Sequence, residues 1–391
     1  MATNYRFGYN GNPVDFDDYF VRLDLFATGN LWGWGYNLEG QLGDNTIVDK
    51  SSPVQTVAGG NYWKEISSGS QHSAGIKNDG TLWLWGYNEF GALGDESVVQ
   101  RNSPVQIKAN SVQWKKVSCG ADYSCGIKVD GSLWTWGKNG YGQLGTNDLV
   151  HRSSAVQTNA GGFNWKECDS GYQFMAAIKT DGTLWTWGRN QFYGQLGLGD
   201  TSDRIVPTQV GTDVSWKNIS CGQHHAAAIK TDGTLWCWGR GQYGQLGNNS
   251  ALHRSSPVQE NSGGTNWKKV KCGYFHTMGI KTDGSLWLWG NNATYGALGD
   301  FSTTNKSVPV ETVFGGKVWK DVSGGDDFTT AIKIDGTLWC WGTNALGQLG
   351  NNDNLVTSVS SPILMHMNNS AWKNVASGRY SAFAIRYLDA P

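Results

Sequence analysis

Seven tryptophans lay out this chain. Trp32, Trp83, Trp134, Trp185, Trp236, Trp287 and Trp339 follow one another at 51 residues five times and at 52 once. Each sits in a Leu-Trp-x-Trp-Gly segment, as in Asp79-Gly80-Thr81-Leu82-Trp83-Leu84-Trp85-Gly86. A fixed period of this size marks a solenoid or a propeller, because one such unit cannot bury its apolar face without neighbours. Seven copies account for nearly all 391 residues, so one array replaces the two or three domains that length alone suggests.

The two ends argue for a closed ring. Residues 25–35 are the second half of a unit with no first half before them, and residues 372–386 are a first half with no second half after. An open solenoid needs distinct capping units. Complementary halves suit a ring in which N- and C-terminal strands share one blade. Within a unit four strands can be read. Residues 52–55 carry Pro53, which suits an edge. Residues 63–67 alternate at period two. Residues 73–77 are small and are expected nearest the axis. After the Asn78-Asp79-Gly80 turn, residues 81–85 put two Trp on one face and two Leu on the other. The expectation is an all-β, seven-bladed β-propeller with four-stranded blades over residues 21–391.

All 21 Trp fall at three positions per unit, two in Leu-Trp-x-Trp-Gly and one before a Lys, which makes them packing between blades. The seven Cys form no C-x-x-C pair and stand where other copies have small or apolar residues, so they read as buried thiols. Net charge is −1, which gives no global case for nucleic acid or an anionic membrane. One Lys follows the third Trp (Lys64, Lys115, Lys166, Lys217, Lys268, Lys320, Lys373). Another follows the repeat Ile (Lys77, Lys128, Lys179, Lys230, Lys281, Lys333, with Arg386 last). Spread around a ring, these read as a solvated face. No signal peptide or membrane-length apolar run is visible.

Residues 1–20 lie outside the repeat and carry Tyr5, Phe7, Tyr9, Phe16, Tyr19 and Phe20 among Asp15, Asp17 and Asp18. Disordered tails are poor in aromatics, so this stretch reads as an arm that docks, on the propeller's own side or on a larger assembly.

The repeat, Gly-x-x-His-[Ser/Thr]-x-[Ala/Gly]-Ile-Lys-x-Asp-Gly-[Thr/Ser]-Leu-Trp-x-Trp-Gly-x-Asn-x-x-Gly-Gln-Leu-Gly, resembles that of the regulator-of-chromosome-condensation family over roughly residues 21–386. The resemblance implies a seven-bladed propeller closed in a split blade, and its Trp-rich form is similar to prokaryotic and phage-encoded members. Two family activities can be set against the residues. Guanine-nucleotide exchange on a Ran-type GTPase uses a β-wedge insertion, and no unit here is longer than its neighbours by more than a residue or two. Ultraviolet-B reception uses Trp in the Gly-x-x-His segments, and those of this chain contain none.

No catalytic constellation stands out, and neither a cofactor nor a metal site is expected. Gly239-Arg240-Gly241-Gln242-Tyr243-Gly244 matches G-x-G-x-x-G without the βαβ context that would make it a nucleotide loop. His72, His225 and His276 share a position with Tyr123, Phe174, Phe328 and Ser381, which favours packing over catalysis. Asp200 and Asp203 lack the calcium-loop pattern. The informative residues are those that vary while the frame repeats. The pairs after the repeat Gly include Tyr172, His224, Tyr274, Phe275, Asp326, Asp327, Arg379 and Tyr380, which equivalent turns should gather on one face around the channel. Tyr and Arg are typical interface anchors, with Asp326 and Asp327 as a local negative edge. The sequence therefore suggests a non-enzymatic binding scaffold for other proteins, with no nucleic acid and no membrane insertion, and with homo-oligomers possible within an assembly. A structural or attachment role in a phage virion or cell-surface assembly is the first expectation, and a cytoplasmic exchange factor or adaptor for a small GTPase the alternative.

Overall fold

The computed structural model describes residues 29–57, 62–108, 113–314, 316–353, 355–367 and 371–387, and no residue among them is helical. Seven four-stranded antiparallel sheets form the blades of a propeller. The first runs outward from Trp63–Ser68 through His72–Lys77 and Leu82–Gly86 to Arg101–Gln106. Blades 2 to 6 repeat this order. Blade 7 takes its two inner strands, Trp372–Ser377 and Ser381–Tyr387, from one end of the chain and Gly29–Gly35 and Lys50–Gln55 from the other. Its seam is in register along the whole length of both strands, from Gly29 opposite Tyr387 to Gly35 opposite Ser381. The Pro-bearing strands lie outermost, where an absent N–H costs no ladder bond. The expected arm, with Tyr5, Phe7, Tyr9, Phe16, Tyr19 and Phe20, and its boundary at residue 20 lie outside the described residues.

One strand assignment is corrected. The Trp-Lys strands line the axis, not the small-residue strands. The reason is solvation. His72–Lys77 sits second and is covered on both faces along its length, so it needs small apolar residues. Trp63–Ser68 opens one edge onto the channel and keeps Glu65, Ser67 and Ser68 only half-buried. In each unit the ladder shifts one residue between the Trp and the position two after it, as between Trp63 and Glu65, so each ring lysine is a bulge residue.

The alternation read along Leu82–Gly86 is what joins the blades. Ala74, Ile76, Leu82 and Leu84 of blade 1 pack against Trp114 and Trp136 of blade 2, whose rings meet edge to face at 5.8 Å. The second Trp of every unit is fully buried and donates its indole N–H to a backbone carbonyl of the preceding blade, as Trp136 does to Ala92 at 2.8 Å. The other six make the same bond, from Trp34 to Gln348 round to Trp341 to Ala297. All seven thiols are free, and six are buried.

The glycine that closes Leu-Trp-x-Trp-Gly is a backbone requirement. Gly86 has φ +103°, and a Cβ there would lie 2.5 Å from the Gln71 carbonyl oxygen. Gly86→Ala is expected to cost at least about 1–2 kcal/mol from backbone strain alone, read as a lowered urea midpoint with an unchanged m-value.

The lysines after the repeat Ile do not form a merely solvated face. Lys77 Nζ lies 4.5 Å from the ring centroid of Trp83 and 5.1 Å from that of Trp63. Lys128, Lys179, Lys230, Lys281 and Lys333 are held between two indoles in the same way. Burial lowers the pKa of Lys77, Lys128 and Lys333.

Candidate protein-binding face

The turns between the two inner strands of every blade lie at one end of the channel and are tied to one another through the backbone. Ser70 N–H donates to Gly120 at 3.2 Å, Ala121 to Tyr172 at 3.3 Å, Gln223 to Tyr274 at 3.2 Å and Tyr274 to Gly325 at 2.9 Å. Asp326 donates to Arg379 and Arg379 to Gly69, both at 3.0 Å, so six of the seven neighbouring pairs of turns are joined in this way. The varying residues are thus mounted on a rigid rim.

The rim brings its predicted residues together. Tyr172 meets His224 at 6.0 Å and Tyr274 at 6.3 Å, edge to face in both cases. Tyr274 also contacts Phe275 at 6.4 Å, and its hydroxyl reaches across the axis to the Ser70 hydroxyl of blade 1. Arg379 lies over the rings of Tyr380 (4.7 Å) and Tyr274 (5.6 Å) and donates to Asp326 Oδ2 at 3.3 Å. Asp327 accepts from Asn291 Nδ2 at 2.8 Å. Burial raises the pKa of Asp326 despite Arg379, and burial with the Asp326 charge pushes Asp327 up to about 6. Burial, then Arg189 and Arg240, hold His224 down at about 4. The pair at 326 and 327 is therefore a weaker negative edge than its formal charge.

Sequence reasoning missed half of this face. The Trp-Gly-x-Asn-x-x-Gly loops fold over the same end. Tyr193 packs on His224 at 5.1 Å and on His253 at 5.0 Å. Tyr243 packs on Phe275 at 5.7 Å, and the Arg240 guanidinium lies within 5.6 Å of the rings of Tyr193, Tyr243 and Phe275. Tyr36 meets Tyr380 at 6.0 Å. The signal was present: these are also positions where copies disagree inside a constant frame. The Asn of that frame is a buried knot. Asn88 takes the Leu93 N–H on its Oδ1 at 2.9 Å and donates through Nδ2 to Asp95, Ser97 and Val99. Asp200 and Asp203 serve the same knot around Asn190. In blade 4 the Asn is Gly241, where a Cβ would lie 2.1 Å from the Leu252 carbonyl. The G-x-G-x-x-G match is this drawn-in loop, which leads back to an outer strand and not into a helix.

The three histidines are structural. Each gives its Nε2 to a hydroxyl of the next blade: His72 to Ser124 at 2.8 Å, His225 to Thr277 and His276 to Thr329 at 2.9 Å. Those hydroxyls in turn donate to the carbonyls of Ala92, Gln245 and Ala297, so each histidine carries its hydrogen on Nε2, and burial keeps the ring neutral.

Below the rim lies an axial cavity of about 410 Å³, bounded by Tyr172, Gln223 and Tyr274 at one end and reaching Lys64 at the other. Its wall alternates in charge, with ion pairs from Lys116 to Glu167 and from Lys269 to Asp321, while Asp169 accepts from Ser118 at 2.9 Å and Ser220 at 3.0 Å. Among the described residues no group of three or more His, Cys, Asp or Glu could hold a metal.

The comparisons agree with this geometry. An RCC1-like domain matches residues 23–250, and the regulator of chromosome condensation (RCC1) repeat matches 232–280, 283–332 and 335–385. The ultraviolet-B receptor UVR8 of Arabidopsis thaliana is 33% identical over 336 residues, 83% of this chain and 76% of that protein. The mitochondrial RCC1 domain-containing protein RUG3 of the same plant is 29% identical over 389 residues, 88% of this chain and 82% of that protein. Prp20p of Saccharomyces cerevisiae superposes with a TM-score of 0.83 at 18% identity, covering 93% of this chain and 92% of that one. These are cellular proteins, and they lend no support to the virion role or to the phage affinity suggested by the repeat's Trp-rich form. The chain belongs to the regulator of chromosome condensation repeat family, as a seven-bladed propeller closed in a split blade.

Proposed function

We propose that this chain is a regulatory, non-catalytic scaffold that binds a protein partner through the rim bearing the Gly-x-x turns. The observation that carries the reading is the continuous set of half-buried aromatics and arginines there, running from Tyr193 and His224 through Arg240 and Phe275 to Tyr274, Arg379 and Tyr380. Such side chains present large apolar area at low entropic cost, and their mutual contacts hold them in place before binding. Photo-crosslinking from position 193 in cells is expected to capture a partner. The triple variant Tyr274→Ala, Phe275→Ala, Tyr380→Ala should reduce that capture at least about tenfold, since anchors each carry more than about 1 kcal/mol. Undiminished capture overturns the reading.

Family membership favours one specific version, guanine-nucleotide exchange on a Ran-type GTPase. Prp20p is described with binding to Gsp1p and histones. Against it stands the uniformity of the blades, since none of the described loops carries an inserted hairpin. Release of fluorescent GDP from a Ran-type GTPase, accelerated at least tenfold by the chain, would establish exchange, and an unchanged rate removes it.

A further inference from the structure

The opposite end of the propeller carries a different surface, independent of the rim. Pairing of Trp63 with Lys77 places both lysine series at that end, together with the Asp-Gly hairpin tips. Six of the seven lysines after the third Trp are exposed, and each heads an innermost strand, so they encircle the channel mouth. The hairpin aspartates stand farther out and are engaged locally, as Asp79 is by Thr81 at 2.9 Å and 2.7 Å. In a chain of net charge −1, one end is thus basic around its centre.

We propose that residues 15–20, Asp-Phe-Asp-Asp-Tyr-Phe, dock across this lysine-ringed mouth within the same molecule. Three arguments fix the occupant. The first is position. Gly29 enters the structure at this end, opposite Tyr387 and bridged to Tyr62, two residues from Lys64. The second is reach. The eight residues 21–28 extend to roughly 26–29 Å, while the strand of Gly29 is two strands from the axial one, about 10 Å. The third is complementarity. Three carboxylates and three aromatics meet lysines interspersed with exposed apolar side chains, Tyr62 (53%), Val318 (38%) and Ile334 (66%). A flat polyanion such as a duplex or a bilayer would meet the aspartate tips outside the ring. A single narrow strand passes inside them.

The test uses the full chain. Zero-length carbodiimide cross-linking of a mixture of ¹⁵N-labelled and unlabelled copies is expected to join Asp15, Asp17 or Asp18 to Lys64, Lys320 or Lys373 within one copy. The yield should fall at least threefold at high salt. Links of mixed isotope would show that a second copy is the occupant and overturn the proposal. So would links to other lysines alone, or no link while Asp122 and Lys138, 2.9 Å apart, are joined as the internal control. Tryptic cleavage after Arg22 gives a second measurement. The variant Lys64→Glu, Lys320→Glu, Lys373→Glu should be cut there at least tenfold faster than the parent, and an equal rate overturns the proposal.

Discussion

Taking the chain from pH 7.5 to pH 4.5 is expected to remove several kcal/mol of stability, and His72, His225 and His276 are the cause. Burial lowers their folded pKa values from 6.5 to about 4, about 3 and about 4, and His224, held at about 4 by burial and its arginine neighbours, adds to the same loss. The unfolded chain therefore takes up protons below 6.5 that the folded chain refuses. The stability is complete above 6.5 and is lost as pH falls from there towards 4, at roughly 2 kcal/mol for each histidine by pH 4.5. Asp327 works in the opposite sense. Its folded pKa of about 6 exceeds the ordinary 3.8, so the fold gains as pH drops through 6 and offsets part of the loss. The hairpin aspartates, whose folded values are lowered, contribute losses only below the ordinary carboxylate pKa. Against a typical total of about 5–15 kcal/mol, the histidine effect is large. Urea denaturation at pH 7.5, 6.0 and 5.0 measures it. The double variant His225→Phe, Thr277→Ala should flatten the curve, because Phe174 is already followed one blade on by Ala226, and Phe328 by Ala382, in the same buried positions. An unchanged slope would show that other groups carry the acid sensitivity.

Trp136→Ala is expected to destabilise the chain by about 3–5 kcal/mol, the range for a fully buried aromatic. Its indole closes the cluster of Ala74, Ile76, Leu82 and Leu84, meets Trp114 edge to face and donates to the Ala92 carbonyl. That carbonyl keeps the Ser124 hydroxyl at 2.9 Å, so the loss is mainly a cavity between blades and not an orphaned acceptor. Trp134→Ala provides the contrast. This Trp is half-buried, bonds only the Ser132 hydroxyl at 2.8 Å and carries Lys128 over its face. Its removal should cost about 1–2 kcal/mol, from the smaller area taken out of water and a lost cation–π contact. Guanidinium midpoints of the two variants, measured side by side, test the difference. Equal losses would mean that the two Trp positions do not differ in packing as described.

The candidate rim shows how far a repeat can be read. Tyr172, His224, Tyr274, Phe275, Arg379 and Tyr380 were legible because they vary within a constant turn. Tyr193, Arg240, Tyr243 and His253 were not, because they belong to another loop whose path over the same end depends on the Asn knot and on its absence at Gly241. The pairing of His72 with Ser124, His225 with Thr277 and His276 with Thr329 could have been found, since those partners are the residue after the equivalent position one unit on. A single copy does not show it, because the hydrogen bond crosses between copies.

The period of 51 residues, the alternation of Leu and Trp and the complementary half-units determined from sequence alone that the chain closes as seven blades. Those features depend only on local geometry: alternation sets which side chains share a face, and a unit that cannot bury its own face must stack. Tertiary structure alone decided which strand lines the axis, which end of the ring collects the lysines, and which loops share the rim. Each of those depends on how strands are ordered within the blade and on which end of the channel each turn reaches. A one-dimensional period is the same for either strand order, so only the folded ring distinguishes them.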